Sequence, residues 1–338
     1  MPELPEVETI ARELAPLVLG ATIADALVLT PRTLRSADPD AFRRAVVGRR
    51  IEGVGRRAKL LTIELDDGTI LAIHLKMTGQ LFVLPTERAP DRHTRVVFRL
   101  GDGRAIEFRD VRRFGRIGLA RRDPATGELV GELGGVRQPP TFGPEPLDPA
   151  FTAAAFQRRL AGRRGRLKSL LTDQAFLAGV GNIYADEALW AARLHPLRSA
   201  ASVGPGAARR LHRELRRILG EAIERRGASV DDYTAPEGNG SMQDHLVVYQ
   251  RTGEPCPRCQ RPIRRIVLGG RATHFCSACQ RLPAAERAAV RAILRSMEPP
   301  VRSSSRPGTR ARRRGPRWTH LAGSAATSDG VAPLGPRT

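Results

Sequence analysis

Residues 256–279 read CPRCQRPIRRIVLGGRATHFCSAC, two Cys-x2-Cys pairs separated by sixteen residues. Cys256, Cys259, Cys276 and Cys279 at that spacing supply four thiolates to one tetrahedral metal ion, and zinc is the ion such knuckles take. No fifth ligand is evident, so the zinc is expected to be closed and structural. Between the knuckles, RRIVLGGRATHF reads as a β-hairpin turning at Gly269-Gly270, with Arg271 beside its tip. A zinc-stapled hairpin tipped by an arginine is shaped to enter a groove of DNA. In so basic a chain, a solvated arginine is the plain alternative.

The four cysteines are the chain's full complement, and their clustering points to a metal site in a reducing compartment, not a disulfide framework. The 338 residues suffice for two or three domains, and 56 basic against 35 acidic residues give a net charge of +21. A polyanion is the natural partner. No apolar run approaches membrane-spanning length, which favours nucleic acid over a membrane surface. Only Lys59, Lys76 and Lys168 are lysines, so each is a candidate for chemistry that a guanidinium cannot perform.

Upstream of the hairpin the chain has two characters. Residues 59–75 read as two strands about an Asp-Gly turn, and residues 95–109 repeat the plan, which predicts a β-sandwich or barrel. An N-terminal helix starts near Pro5 and Glu6, with Val7, Ile10, Leu14, Leu17 and Val18 as its apolar stripe. Proline-rich residues 137–149 read as a linker. Helical periodicity then covers residues 151–227 in four stretches, one of them LKSLLTDQAFLAGV. The glycines of AGVGN end that helix and start another, which puts Asn182 at a helix N-terminus, a natural seat for a phosphate or an ordinary cap. Residues 284–338 hold eleven arginines against three acids. They are expected to form one short helix followed by a disordered basic tail.

Three further clusters suggest chemistry. FRDVRRFG (108–115) ends a strand and exposes Arg112, Arg113 and Phe114 together. An apolar side chain among arginines is what a protein uses to unstack a base pair. Met77, in HLKMTG, is a candidate second wedge, although a core role fits each of these apolar residues as well. Removal of Met1 before a proline leaves Pro2 with a free secondary amine at the positive end of a helix, a nucleophile able to form an iminium ion at a sugar C1′. Glu3 is the adjacent proton carrier.

In register, PELPEVET, RRAK, HLKMTG, DVRRFG, FGPEPL, LLTDQAFLAGVGNIYADE, GEPCPRC and GGRATHFCSACQ resemble the formamidopyrimidine-DNA glycosylases, from residue 2 to about 283. The resemblance implies an α+β multidomain fold. Its parts are an N-terminal β-sandwich catalytic domain with an N-terminal helix (1–136), the linker (137–149), a helix-two-turns-helix domain (150–228), and a lesion loop with a β-hairpin zinc finger (229–283).

The activity implied is base-excision repair. Oxidised purines such as 8-oxoguanine and formamidopyrimidines would be excised from duplex DNA, and the abasic site cleaved by β,δ-elimination through a Pro2 Schiff base. The chain would work as a monomer in the bacterial cytoplasm, with one structural zinc as its only cofactor. The resemblance makes Glu3 the proton donor, Lys59 an elimination and phosphate residue, and Arg271 the finger arginine that grips flanking phosphates. Met77, Arg112 and Phe114 match the residues that fill the gap left by a flipped base. His93, Arg164 and Asn182 fall at DNA contacts, Arg164 replacing a more usual lysine. Glu6 is ranked as structural, and Lys168 matches a lysine of the helical domain. Residues 231–246 lack the Gly-Tyr-Phe usual in the loop that closes over 8-oxoguanine, which leaves open a sibling enzyme acting on oxidised pyrimidines. A non-catalytic DNA-binding protein of the same fold is the third reading.

Overall fold

The computed structural model describes residues 1–34, 38–86, 88–133, 142–229, 238 and 240–297. Residues 1–299 form one compact unit. Part of the expected linker (137–141), half of the loop 231–246 (231–237 and 239) and the tail from 298 lie outside the described residues.

The chain opens with α1 (Leu4–Val18), in which Pro5 takes the second helical position and the Glu6 carboxylate reaches back to accept the Glu3 amide at 2.8 Å. Val7, Ile10, Leu14 and Val18 are buried as the stripe requires. Leu17 is not; it is 38% exposed, although Val18 beside it is fully buried. Eight more elements extend the first half: β1 (Ile23–Val28), α2 (Pro39–Val46), β2 (Ile51–Arg57), β3 (Leu60–Leu65), β4 (Ile70–His74), β5 (Gly79–Leu84), β6 (Thr94–Leu100) and β7 (Ala105–Asp110). Two further strands, β8 (Arg116–Arg122) and β9 (Leu129–Gly131), close it.

These strands pair antiparallel in two sheets, β1-β6-β7-β5 and β2-β3-β4-β8-β9. Facing apolar residues such as Ile63, Leu71, Phe98 and Phe108 pack with α1 into one core. The turns at Gly68 and Gly103 have positive φ, and both Asp-Gly hairpins fall where the sequence places them.

The helical half contains α3 (Ala153–Leu160), α4 (Leu167–Leu171), α5 (Asn182–Ala191) and α6 (Pro205–Glu224). The single helix expected over LKSLLTDQAFLAGV stops at Leu171. Side chains then compete with the helical ladder: Asp173 accepts the Ala175 amide, while Gln174 accepts the Gly179 amide and donates to the Val180 carbonyl.

Leu4 plugs into this helical core, not into the sandwich. Arg56 and Arg57 both pair with Glu145, at 2.8 and 2.9 Å, tying the sandwich to the first residues of the helical half.

The finger hairpin is β10 (Arg264–Leu268) and β11 (Arg271–Phe275), and α7 (Ala284–Met297) follows. Gly269 and Gly270 have φ of +56° and +74°, the two left-handed residues that a tight hairpin turn of this twist demands. Val290 of α7 is fully buried against Leu197, Ile266 and Phe275 on the back of the hairpin. No helix among the described residues is long and apolar enough to cross a membrane.

Candidate active site and nucleic-acid interface

The start of α5 meets the start of the chain. The Glu3 carboxylate accepts the amides of Gly181 at 2.8 Å and Ile183 at 2.9 Å. A Cβ on Gly181 would lie 2.5 Å from Lys59 Nζ and closer still to the Glu3 carboxyl carbon, so only glycine lets the acid and the amine approach this backbone together. The helix N-terminus does hold an anion, but it is the protein's own glutamate. The partial positive charge of those amides favours the carboxylate there.

Lys59 follows a tight turn in which Ala58 has φ +54° and donates its amide to Glu145. Burial lowers the Lys59 ammonium from its usual range; Glu3 and Glu6 oppose that shift, and the charge of Arg271 adds to it. Pro2, which directly precedes Glu3 in the chain, is buried, while Met1 is exposed. Glu6 lies beneath, accepting from the Glu3 and Ala228 amides and from the Tyr184 hydroxyl. Burial raises its carboxyl, with the Glu3 charge adding to the shift.

His74, at the end of β4, accepts the Lys76 amide on Nδ1 at 3.0 Å, which fixes the neutral ring. Burial and the charges of Lys76 and Lys59 push it down to about 3.

The finger docks on α5 through buried polar contacts. Lys168 Nζ lies 2.6 Å from Asp186 and donates to Thr273 Oγ1 at 2.8 Å. Asp186 also accepts the His274 amide at 2.8 Å, and Asn182 Nδ2 donates to the Ala272 carbonyl at 2.8 Å. These bonds seat β11 so that Arg271, exposed at its first position, stands near Lys59.

A second group gathers around Asp110. Its carboxylate accepts the Gly115 amide at 2.6 Å, the Arg112 amide at 3.2 Å and the Thr78 hydroxyl. It thereby shapes the turn 111–115 and ties it to the turn that carries Met77. Phe114 is 46% exposed, with the Arg112 guanidinium 5.1 Å from its ring centre. Phe114 is thus no core residue, and Met77 is half-buried. His93 joins this group, its carbonyl accepting the Asp110 amide at 3.0 Å. Arg164 stands apart, exposed between α3 and α4.

The Sγ atoms of Cys256, Cys259, Cys276 and Cys279 lie within 4.8 Å of one another, with two pairs at 3.9 and 3.4 Å. A tetrahedron of thiolates about 2.3 Å from a zinc ion has edges of about 3.8 Å, so the set fits one structural zinc.

Sequence reading alone passes over Gly181, Asp186, His74 and Asp110. The acids of IYADE, set in an otherwise apolar helix, are the available signal for Asp186. The close approach at Gly181 leaves no trace in one sequence.

Comparison with known proteins agrees with this geometry. The chain matches the Formamidopyrimidine-DNA glycosylase N-terminal domain over residues 1–117, the Formamidopyrimidine-DNA glycosylase H2TH domain over 142–234, and the zinc finger found in FPG and IleRS over 253–282. A formamidopyrimidine-DNA glycosylase of Chloroflexus aurantiacus is 46% identical over 281 residues, covering 83% of this chain and 98% of the relative. One from Symbiobacterium thermophilum is 45% identical, covering 84% and 90%.

Among solved structures, the MutM (Fpg) protein of Thermus thermophilus is 44% identical with a TM-score of 0.71, covering 82% of this chain and 98% of that one. The Lactococcus lactis Fpg in complex with abasic-site DNA is 33% identical with a TM-score of 0.73, covering 82% and 99%. With three family domains in order and nearly the whole of each relative spanned, this chain belongs to the formamidopyrimidine-DNA glycosylase family.

Proposed function

We propose that this protein excises oxidised purines, 8-oxoguanine and formamidopyrimidines, from duplex DNA and cleaves the resulting abasic site by successive β- and δ-elimination. The observation that carries the reading is the convergence of Glu3, Lys59 and the Gly181 backbone beside Pro2, with Arg271 held near them by the docked finger. Solved relatives from Lactococcus lactis hold Fapy-dG containing DNA and abasic-site DNA, which supports the substrate class.

In this reading Met1 is removed and the Pro2 nitrogen attacks C1′ as the bond from C1′ to the base breaks. Glu3 supplies the proton that the sugar or base requires. The C1′–O4′ bond then opens, with a proton going to O4′, to give the iminium. That ion is the electron sink for loss of a C2′ proton and departure of the 3′ phosphate, and then for departure of the 5′ phosphate. Lys59 and Arg271 hold those phosphates. Phe114, Met77 and Arg112 occupy the space of the extruded nucleotide. His93, Asn182 and Arg164 contact the backbone. Zinc, when bound, holds the finger's two knuckles together and takes no part in bond breaking.

The functional division into 1–136, 150–228 and 229–283, a monomeric state and a place in the bacterial cytoplasm on chromosomal DNA belong to the same reading. The bacterial sources of the relatives support that location.

The test is a borohydride trap with 8-oxoguanine:cytosine and abasic duplexes. A covalent adduct on the N-terminal peptide with both, and a one-nucleotide gap without reductant, is the expected result. An adduct with the abasic duplex alone would remove 8-oxoguanine as substrate. No adduct with either would overturn Pro2 as nucleophile.

A further inference from the structure

Arg95 is 4% exposed, yet neither the zinc site nor the cluster around Glu3 uses it. It sits at a break in register between Thr94 and Val96 on β6, both of which are buried as well. Its Nε donates to the Asp110 carbonyl at 2.8 Å, and its Nη1 donates to the Arg92 carbonyl at 3.0 Å. The carboxylates of Asp110 and Asp91 act on it only through space.

Burying a guanidinium is costly, and here its hydrogen bonds go to backbone oxygens. Those two carbonyls belong to two different turns. Arg92 precedes His93; Asp110 begins the turn that carries Arg112 and Phe114. The planar fork of an arginine spans both at fixed separation, which a single-point ammonium cannot do. The Asp110 amide closes the same link by donating to the His93 carbonyl at 3.0 Å.

We propose that Arg95 is a positioning residue for base extrusion: it fixes the distance between the His93 turn on the DNA backbone and the Phe114 turn that enters the base stack. This inference rests on the insertion role assigned to Phe114 above. A rigid spacing lets contact energy gained at the phosphates be transmitted to the inserted side chain, where a loose turn would yield.

The experiment uses the full-length, zinc-loaded protein and three duplexes. In one, 8-oxoguanine pairs with cytosine; in the second, the same lesion faces a tetrahydrofuran abasic analogue, which cannot form the Schiff base, and is already unpaired; the third holds an abasic site and needs no base extrusion. Arg95→Lys is expected to slow single-turnover excision from the paired duplex by about tenfold or more, while the other two reactions stay close to the unsubstituted rate. Equal slowing on all three, or no slowing on the paired duplex, would overturn the inference.

Phe114→Ala is the companion variant. If it shows no selective loss on the paired duplex, the insertion role itself falls. If it does and Arg95→Lys does not, only the positioning role falls. Should Arg95→Lys fail to fold, Arg95→Gln, which keeps a planar donor, is judged by the same ratio of rates.

Discussion

The Glu3 carboxylate and the Gly181 amide, 178 residues apart in the chain, are joined by a hydrogen bond of 2.8 Å. That bond places the second residue of the expected mature chain on the first turn of α5, and it leaves no volume for a side chain between them. Gly181→Ala drives a Cβ into the Glu3 carboxylate and the Lys59 amine. The variant is expected to bind duplex DNA nearly as well as the unsubstituted protein and to lose excision by about a hundredfold or more. Single-turnover assays beside a binding titration decide it; an unimpaired rate would show that the close approach is dispensable.

Asp186→Asn removes the counter-charge of Lys168, whose side chain is only 3% exposed. Burial lowers that ammonium even with Asp186 present. Breaking a buried pair on one side costs about 3–5 kcal/mol, and urea unfolding should register a loss of that order. A change within experimental scatter would mean that water replaces the carboxylate without cost.

His74 titrates near 3 when folded against 6.5 in its reference state. Between those values the unfolded chain binds a proton that the folded ring refuses. Its contribution to stability is therefore complete above pH 6.5 and declines as pH falls, with a slope approaching about 1.4 kcal/mol per pH unit. In His74→Asn the stability between pH 6.5 and 4 should fall less steeply. Parallel curves for the two proteins would place the acid sensitivity elsewhere.

Zinc removal should loosen the finger, because the Cys256 and Cys276 knuckles are packed with Val248 and Ile263 in one small cluster. Cys256→Ser is expected to release zinc and weaken DNA binding. Metal analysis by mass spectrometry checks the first point, and full zinc occupancy with normal affinity would count against Cys256 as a zinc ligand.

Val290→Asp sets an unpaired carboxylate among Leu197, Ile266 and Phe275. Faster zinc release to a chelator and a lower melting temperature are expected, with Cys256, Cys259, Cys276 and Cys279 all intact. Unchanged release would show that α7 rests on the finger without supporting it.

Local chemistry makes much of this architecture readable in one sequence. The Asp-Gly and Gly-Gly turns, the cysteine spacing and the stripe Val7, Ile10, Leu14 and Val18 each depend on residues close together in the chain, and each is found as expected. The loop 172–181 reads as helix in sequence because its apolar residues keep helical spacing, while Asp173 and Gln174 spend their side chains on backbone bonds. Asn182 does start a helix, but nothing near it in sequence announces that Glu3 fills the amides there. Arg95 is hidden for a similar reason: it lies at a break in strand register, and alternation alone does not reveal one.

The bond between Glu3 and α5 also sets an order in time. A ribosome adds about 5–20 residues per second, so Gly181 is made roughly 10–35 s after Glu3. Throughout that interval the nascent sandwich carries the second residue without the helix that orients it. With Glu3 in the proposed catalytic role, competence to cut DNA would arrive only when the helical half has been made and has closed on the beginning of the chain, and a polypeptide abandoned on the way would be an inert fragment in place of an unguarded nuclease.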